Sequence, residues 1–255
     1  MPLSAAEHLL AARQSHTQLD GLPDYCRPSS IEEGYLAQAE LTALIGQPAG
    51  WKIACTNAGA MQKMGTDSPF AGPLFANMLH ESPARLDASR FHSRIIEGEF
   101  AFRLGRDLSA RTAQYTPEEV LAAVESLHPA IEIADSRYRE WLSVGVPSLL
   151  ADGAITGAFV FGPGVSDWHD LDLASWPVRM SADGEVVGEG TGANALGHPL
   201  DSLVWFVNHW SNRGCDLRAG ELVTTGSCTG NYPARAGQLL SADFGELGCV
   251  EVTFL

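Results

Sequence analysis

The chain has 255 residues, with 31 acidic against 16 basic side chains and a formal charge of −15. With 45% hydrophobic residues, only 18% charged and no apolar run of bilayer length, it is expected to be neither disordered nor membrane-spanning, and no Lys/Arg cluster invites nucleic acid. The same charge repels small carboxylates, so a site that handles anions requires local reversal by a metal or a buried cation.

Two helices are predicted first, Ala5 to about Gln14 and Ser30 to Ile45, the second opened by Ser29-Ser30 ahead of Glu32-Glu33 and stopped by Gly46 and Pro48. From Gly50 onward, strand-like pieces dominate: Trp51 to Thr56, Arg94 to Leu104, Ala130 to Ala134, Ile155 to Phe161, Val178 to Ser181, Leu222 to Thr225 and Cys249 to Leu255. Thr116-Pro117-Glu118-Glu119 opens a helix expected to reach about Leu127, and Leu200 to about Arg213 forms another. Surface scaling predicts roughly 11,000 Å² for the folded chain and a single large core. The expected organisation is α+β and mainly β: a helical part over 1–49 packed on a β-rich body over 50–255, one structural unit overall. Five widely spaced cysteines read as reduced thiols, mostly buried. The N-terminus has no cationic stretch leading into an apolar one, so a cytoplasmic location is expected.

The chemistry concentrates in Ile96-Glu97-Gly98-Glu99-Phe100-Ala101-Phe102. Residues two apart on a strand share a face, so Glu97 and Glu99 converge. On a half-exposed strand such a pair is also the ordinary solvent face. A second segment, Ala130-Ile131-Glu132-Ile133-Ala134, places a lone carboxylate between isoleucines. Three carboxylates on strands call for a cation, and their hard oxygens suit Mg²⁺, Mn²⁺ or Ca²⁺. Lys52, flanked by Trp51 and Ile53, is either a buried partner for them or an edge lysine reaching solvent. His198-Pro199 reads as the start of a helix, and Trp141, Trp205 and Trp210 as core or subunit contacts.

Five motifs resemble, in order and spacing, the 2-keto-4-pentenoate hydratase branch of the fumarylacetoacetate hydrolase superfamily. They are Gly50-Trp51-Lys52-Ile53-Ala54-Cys55-Thr56, Ile96 to Phe102, Ile131-Glu132-Ile133-Ala134-Asp135-Ser136-Arg137, Gly197-His198-Pro199-Leu200, and Gly220-Glu221-Leu222-Val223-Thr224-Thr225-Gly226-Ser227. The resemblance implies a mixed β-roll or barrel-like body preceded by helices, assembled as a homo-oligomer of two or more copies. It implies metal ligands at Glu97, Glu99 and Glu132, an active-site lysine at Lys52, and Mg²⁺ or Mn²⁺ as cofactor. Asp152, in Ala151-Asp152-Gly153-Ala154, matches a family substrate-side aspartate. Ser68 to Leu74 lacks the Asp that follows the lysine strand in members acting on 2-hydroxypentadienoate. Ser227 either hydrogen-bonds the substrate carboxylate or shapes the turn at Gly226.

The activity implied is metal-dependent addition of water to a 2-hydroxy-2,4-dienoate, giving a 4-hydroxy-2-oxo acid, as in catabolism of aromatic-ring cleavage products. A decarboxylase of 4-oxalocrotonate type would use the same ligands. A hydrolase of acylpyruvates fits less well, because no His-Glu pair stands near the N-terminus. A non-enzymatic acidic β-domain holding Ca²⁺ gains nothing from a lysine beside its carboxylates.

Overall fold

A computed structural model of the chain describes residues 2–255, whose accessible surface is 11109 Å². In chain order it forms α1 (Ala5–Ser15), α2 (Ile31–Ile45), β1 (Pro48–Ala54), α3 (Ala58–Met64), β2 (Phe70–Phe75), β3 (Leu79–Glu81), β4 (Ala84–Leu86) and β5 (Ile95–Leu104). Then follow α4 (Pro117–Leu121), β6 (Val124–Ala134), α5 (Val146–Ala151), β7 (Thr156–Phe161), β8 (Pro177–Ala182) and β9 (Glu185–Thr191). The chain closes with α6 (Pro199–Asn212), β10 (Leu222–Ser227), β11 (Tyr232–Pro233), β12 (Leu239–Asp243) and β13 (Cys249–Phe254).

The strands make two sheets. The larger runs β2-β1-β10-β5-β6-β7-β3 with β11 added to β5, and the smaller runs β4-β13-β12-β8-β9. Both are mixed: β1 pairs parallel with β10 and β3 with β7, while the central β10, β5, β6 and β7 are antiparallel. Their facing sides share one core, with Phe100, Ile131 and Val160 of the first sheet, Met180, Leu240 and Val252 of the second, and Phe206 of α6 all fully buried. Burial on both faces explains why β5 and β6 carry continuous apolar stretches in place of strict alternation.

The helix α2 begins where its cap predicts, Ser30 accepting from Glu33 N at 3.2 Å, and α1 is capped by Ser4, which accepts from Glu7 N at 3.2 Å. They form a smaller core with Leu149 and Ala151 of α5 and with Tyr138. Gln38 of α2 ties this layer to the sheet, its amide donating to Ala71 O at 3.0 Å and Leu150 O at 2.9 Å. His198 caps α6, its Nδ1 accepting from Leu200 N at 3.0 Å.

One helix is shorter than the sequence suggests. Residues expected to continue it to Leu127 have left it by Leu121, and Val124 already stands opposite Leu104 on β5. Helix preferences here differ by a few tenths of a kcal/mol per residue, whereas the ladder to β5 and complete burial of Leu127 bring several times that. β2 escapes prediction for another reason. Its Gly72-Pro73 resembles a turn, but β2 is an edge strand, where the missing N–H of Pro73 is tolerated. The cysteines also differ from expectation: only Cys228 is buried, and Cys249 is exposed.

Candidate active site

The register of β5 and β6 sets Glu97 directly opposite Glu132, and Glu99 lies two residues along the same strand as Glu97. One carboxylate oxygen from each of the three lies within 4.8 Å of the others. At the β10 end the backbone participates. Between Thr224 and Ser227 the pairing with β5 slips by one residue, a bulge that turns Gly226 N toward Glu99 Oε2 at 3.0 Å. Gly226 has φ 101°, and a Cβ there would stand 2.0 Å from Thr56 Oγ1, so the bulge requires glycine on both counts.

Lys52 approaches from β1, three strand positions from β6. A flat sheet spaces those strands about 14 Å apart. Lys52 Nζ nevertheless lies 2.8 Å from Glu132 Oε1, because the sheet curls until its outer strand faces its centre. The lysine side chain is 2% exposed, which removes the reading of an edge lysine in water. Burial pushes the ammonium pKa down, but Glu132, Glu97 and Glu99 outweigh it and hold the group above its usual value, so it stays charged.

The carboxylates carry the opposite imbalance. Burial first, then Glu132, push Glu97 up to about 7 against the pull of Lys52. Burial, Glu132 and Glu97 raise Glu99 well above the carboxylate range. Three acids share one lysine, and Glu99 Oε1 and Glu132 Oε2 are buried without a hydrogen-bond donor. Buried acceptors left unmatched beside mutually repelling carboxylates are what a divalent ion with oxygen preference satisfies, so the residues present fit such an ion.

A stability test follows from the signs. An unfolded glutamate titrates near about 4.3, and Glu97 near 7, so between those values the metal-free folded state binds more protons and its stability falls as pH rises. A metal held by the ionised cluster would reverse that loss. The rise in Tm produced by Mg²⁺ or Mn²⁺ is expected to be larger at pH 8 than at pH 6, measured by thermal unfolding with and without the ion. Equal rises at both values would show that the cluster is not where the ion binds.

Lys52 and Glu97 form part of the wall of a cavity of about 580 Å³. Cys55, Thr56, Asn194, Ser227 and Asn231 contribute polar wall, and Met64, Phe70, Trp141, Leu142, Leu149 and Ile155 contribute apolar wall. Ser227 therefore stands at the cavity, with its hydroxyl donating to Gly230 O at 3.2 Å. Trp141, expected in a core or subunit contact, lines the cavity too.

Asp152 stands apart from the other site residues expected from the sequence. It is absent from this wall, and its fully buried carboxylate accepts from Arg137 Nε at 2.6 Å, Arg137 N at 3.0 Å and Arg13 Nη2 at 3.2 Å. Those partners leave it the anchor of a buried ion-pair network, where removing one member typically costs about 3–5 kcal/mol.

The sequence reading missed α3, which supplies Met64 and Lys63 to the wall. The signal was present: Asn57 caps the helix, accepting from Ala60 N at 2.8 Å, and Gly65 ends it at φ 68°. Seven residues with no long apolar stripe concealed it.

Known proteins resemble this chain in sequence and in fold. The family model described as fumarylacetoacetate (FAA) hydrolase C-terminal matches residues 58–255. The chain belongs to that family. It is 33% identical over 254 residues to a 2-keto-4-pentenoate hydratase of Paraburkholderia xenovorans (strain LB400), covering 98% of this chain and 93% of the relative. It is 32% identical over 254 residues to a 2-hydroxyhexa-2,4-dienoate hydratase of Comamonas testosteroni, covering 97% and 95%. Among solved structures, the 4-oxalocrotonate decarboxylase from Pseudomonas putida G7, complexed with magnesium and adipate, superposes with TM-score 0.90 at 27% identity, over 98% of this chain and 96% of that one. The same decarboxylase was also solved with calcium and acetate. Within the family, then, this chain shares its full length with hydratases, which are lyases, and its fold with a metal-binding decarboxylase. No helix among the described residues is long and apolar enough to cross a membrane.

Proposed function

We propose that the chain is a divalent-metal-dependent hydratase that converts a 2-hydroxy-2,4-dienoate into a 4-hydroxy-2-oxo acid, in the breakdown of aromatic-ring cleavage products. The observation that carries this reading is the triad Glu97, Glu99 and Glu132 with Lys52 against it, Lys52 and Glu97 lining a cavity whose wall also includes Met64, Phe70, Trp141 and Leu149. Mg²⁺ or Mn²⁺ held by the triad would supply Lewis acidity and a docking point for the substrate's carboxylate and C2 oxygen. Lys52, kept protonated by its carboxylate neighbours, offsets the negative charge that develops at C2 oxygen as the dienol ketonises with a proton added at C5. The resulting 2-oxo-3-enoate accepts water at C4. Ser227 donates its hydroxyl to the substrate carboxylate in exchange for Gly230 O.

The apolar wall favours hydration over the related decarboxylation. A 4-oxalocrotonate carries a second carboxylate, and besides Lys52 the cation on the cavity wall is Lys63, exposed on α3. The high TM-score to a decarboxylase supports the rival reading, so the two are assayed together. The chain is incubated with 2-hydroxypenta-2,4-dienoate, 2-hydroxyhexa-2,4-dienoate or 4-oxalocrotonate plus Mg²⁺, following the ultraviolet absorbance and identifying products by NMR. Hydration of both dienoates is expected, with kcat/KM about fourfold higher for the hexadienoate if its methyl is buried on the apolar wall. Release of CO₂ from 4-oxalocrotonate without hydration of either dienoate would instead assign the decarboxylase.

The helices of 1–49 and the body of 50–255 act in this reading as one unit, in an oligomer of two or more copies. The exposure of Leu36 and Leu44 on α2 supports a covered surface there, and light scattering measures the mass. Five unpaired thiols suit a reducing cytoplasm.

A further inference from the structure

A second pocket, of about 290 Å³, shares no lining residue with the cavity of Lys52 and Glu97. It lies at the C-terminal end of α1 and the approach to β5, and its wall holds Arg13, Arg90, Arg137, His16 and His92 against a single acid, Asp135. In a chain of charge −15, three arginines on one wall stand out against the field of the whole molecule, even with Asp152 and Asp87 set behind them.

Two of these cations, Arg13 and Arg137, share one counter-ion, Asp152, which lies off this wall. Arg137 is fully used: it donates to Asp152 and to Thr156 O, and lies 3.8 Å from Asp135. Asp135 is occupied as well, accepting from Ser93 N at 2.6 Å. Arg13 meets Asp152 through Nη2 alone, and its Nε is buried with no acceptor. Burial first, then the neighbouring Arg137, push the Arg13 guanidinium down to about 10 against the opposing pull of Asp152 and Asp135. Arg90 is exposed at the rim and makes no ion pair among the described residues. His16 and His92 stack with ring centres 4.1 Å apart and planes 9° from parallel, adding ring nitrogens to the same wall.

We propose that this pocket binds a small oxyanion, a phosphate or a carboxylate, between Arg13 and Arg90. An oxyanion brings the acceptor that Arg13 Nε lacks and gives Arg90 a direct partner, which Asp87, attracting Arg90 and His16 from beyond ion-pair distance, does not, through the charge-assisted hydrogen bonds that guanidinium groups make best. Binding would join the end of α1 to the segment that leads into β5, so the ligand stabilises the packing of the N-terminal helices as well.

The test is calorimetric titration of metal-free, full-length protein with sodium phosphate and, separately, sodium acetate, at constant ionic strength, alongside Arg90→Gln, Arg13→Gln and Arg13→Lys. Saturable binding of at least one anion is expected, with affinity falling about tenfold or more in Arg90→Gln. The anion that binds tells which source the pocket serves. Arg13→Gln should lose binding as well, and Arg13→Lys, which keeps charge beside Asp152, should retain part of it. Should Arg13→Gln fail to fold, Arg90→Gln decides, since its side chain is exposed and free of ion pairs. Absence of saturable binding by either anion, or wild-type affinity in Arg90→Gln, would overturn the proposal.

Discussion

Glu97→Gln and Glu99→Gln are expected to lose metal-dependent turnover by about 10³-fold or more, roughly 4 kcal/mol of transition-state stabilisation, because each removes both a ligand and a charge from the cation's cage. Stability separates this loss from simple damage. Without metal the three carboxylates repel one another, so removing Glu97 or Glu99 relieves the cluster and the metal-free Tm should hold or rise. Glu132→Gln should behave differently. It removes the ion-pair partner of a lysine only 2% exposed, and leaving a buried charge unpaired costs about 3–5 kcal/mol, so its Tm should fall along with its activity. Wild-type turnover at limiting metal in Glu97→Gln or Glu99→Gln would remove the triad from the reaction.

Lys52→Met is expected to lower kcat by about 10²-fold, near 3 kcal/mol, as loss of one preorganised electrostatic donor does. The location of the side chain adds a second expectation. Among the described residues Lys52 is the cation set against two buried carboxylates and the half-buried Glu97, so the metal-free variant should be markedly destabilised, while a divalent ion takes over the role of counter-charge. The rise in Tm on adding Mn²⁺ should therefore exceed that of the wild type, and the ion should bind more tightly to the more negative cage. Turnover and metal titration on the same variant separate the possibilities: wild-type turnover would contradict the catalytic role, and weakened metal binding would contradict the electrostatic account.

Much of this site is visible in the sequence because its parts are local. Glu97 and Glu99 share a face by strand periodicity, and Glu132 stands out as a carboxylate between isoleucines, so the cluster follows from composition once β5 and β6 are recognised as neighbours. Lys52 is different. Nothing local distinguishes a buried lysine from an edge lysine, and the choice rests on the curl of a sheet in which β10, late in the chain, inserts between β1 and β5. The apolar wall was hidden for the same reason: Met64, Trp141 and Ile155 come from three separate segments that only tertiary packing gathers. Asp152 shows the converse. Its sequence context matched a substrate-side residue, but two arginines far apart in the sequence, Arg13 and Arg137, claim its carboxylate. Elements were lost where intrinsic preference and tertiary context disagree, as in the helix that yields to strand pairing at Val124 and the Gly-Pro segment that serves as an edge strand.

The central claim is that Glu97, Glu99 and Glu132 together hold one divalent cation facing the cavity of Lys52. It is tested most directly by an anomalous-difference map from crystals grown with Mn²⁺. The account predicts one peak per chain, bounded by an oxygen of each of the three glutamates at about 2.0–2.3 Å and open on the cavity side. A map with Mn²⁺ bound elsewhere, or with the triad empty at saturating Mn²⁺ and Glu132 still paired only with Lys52, would contradict it.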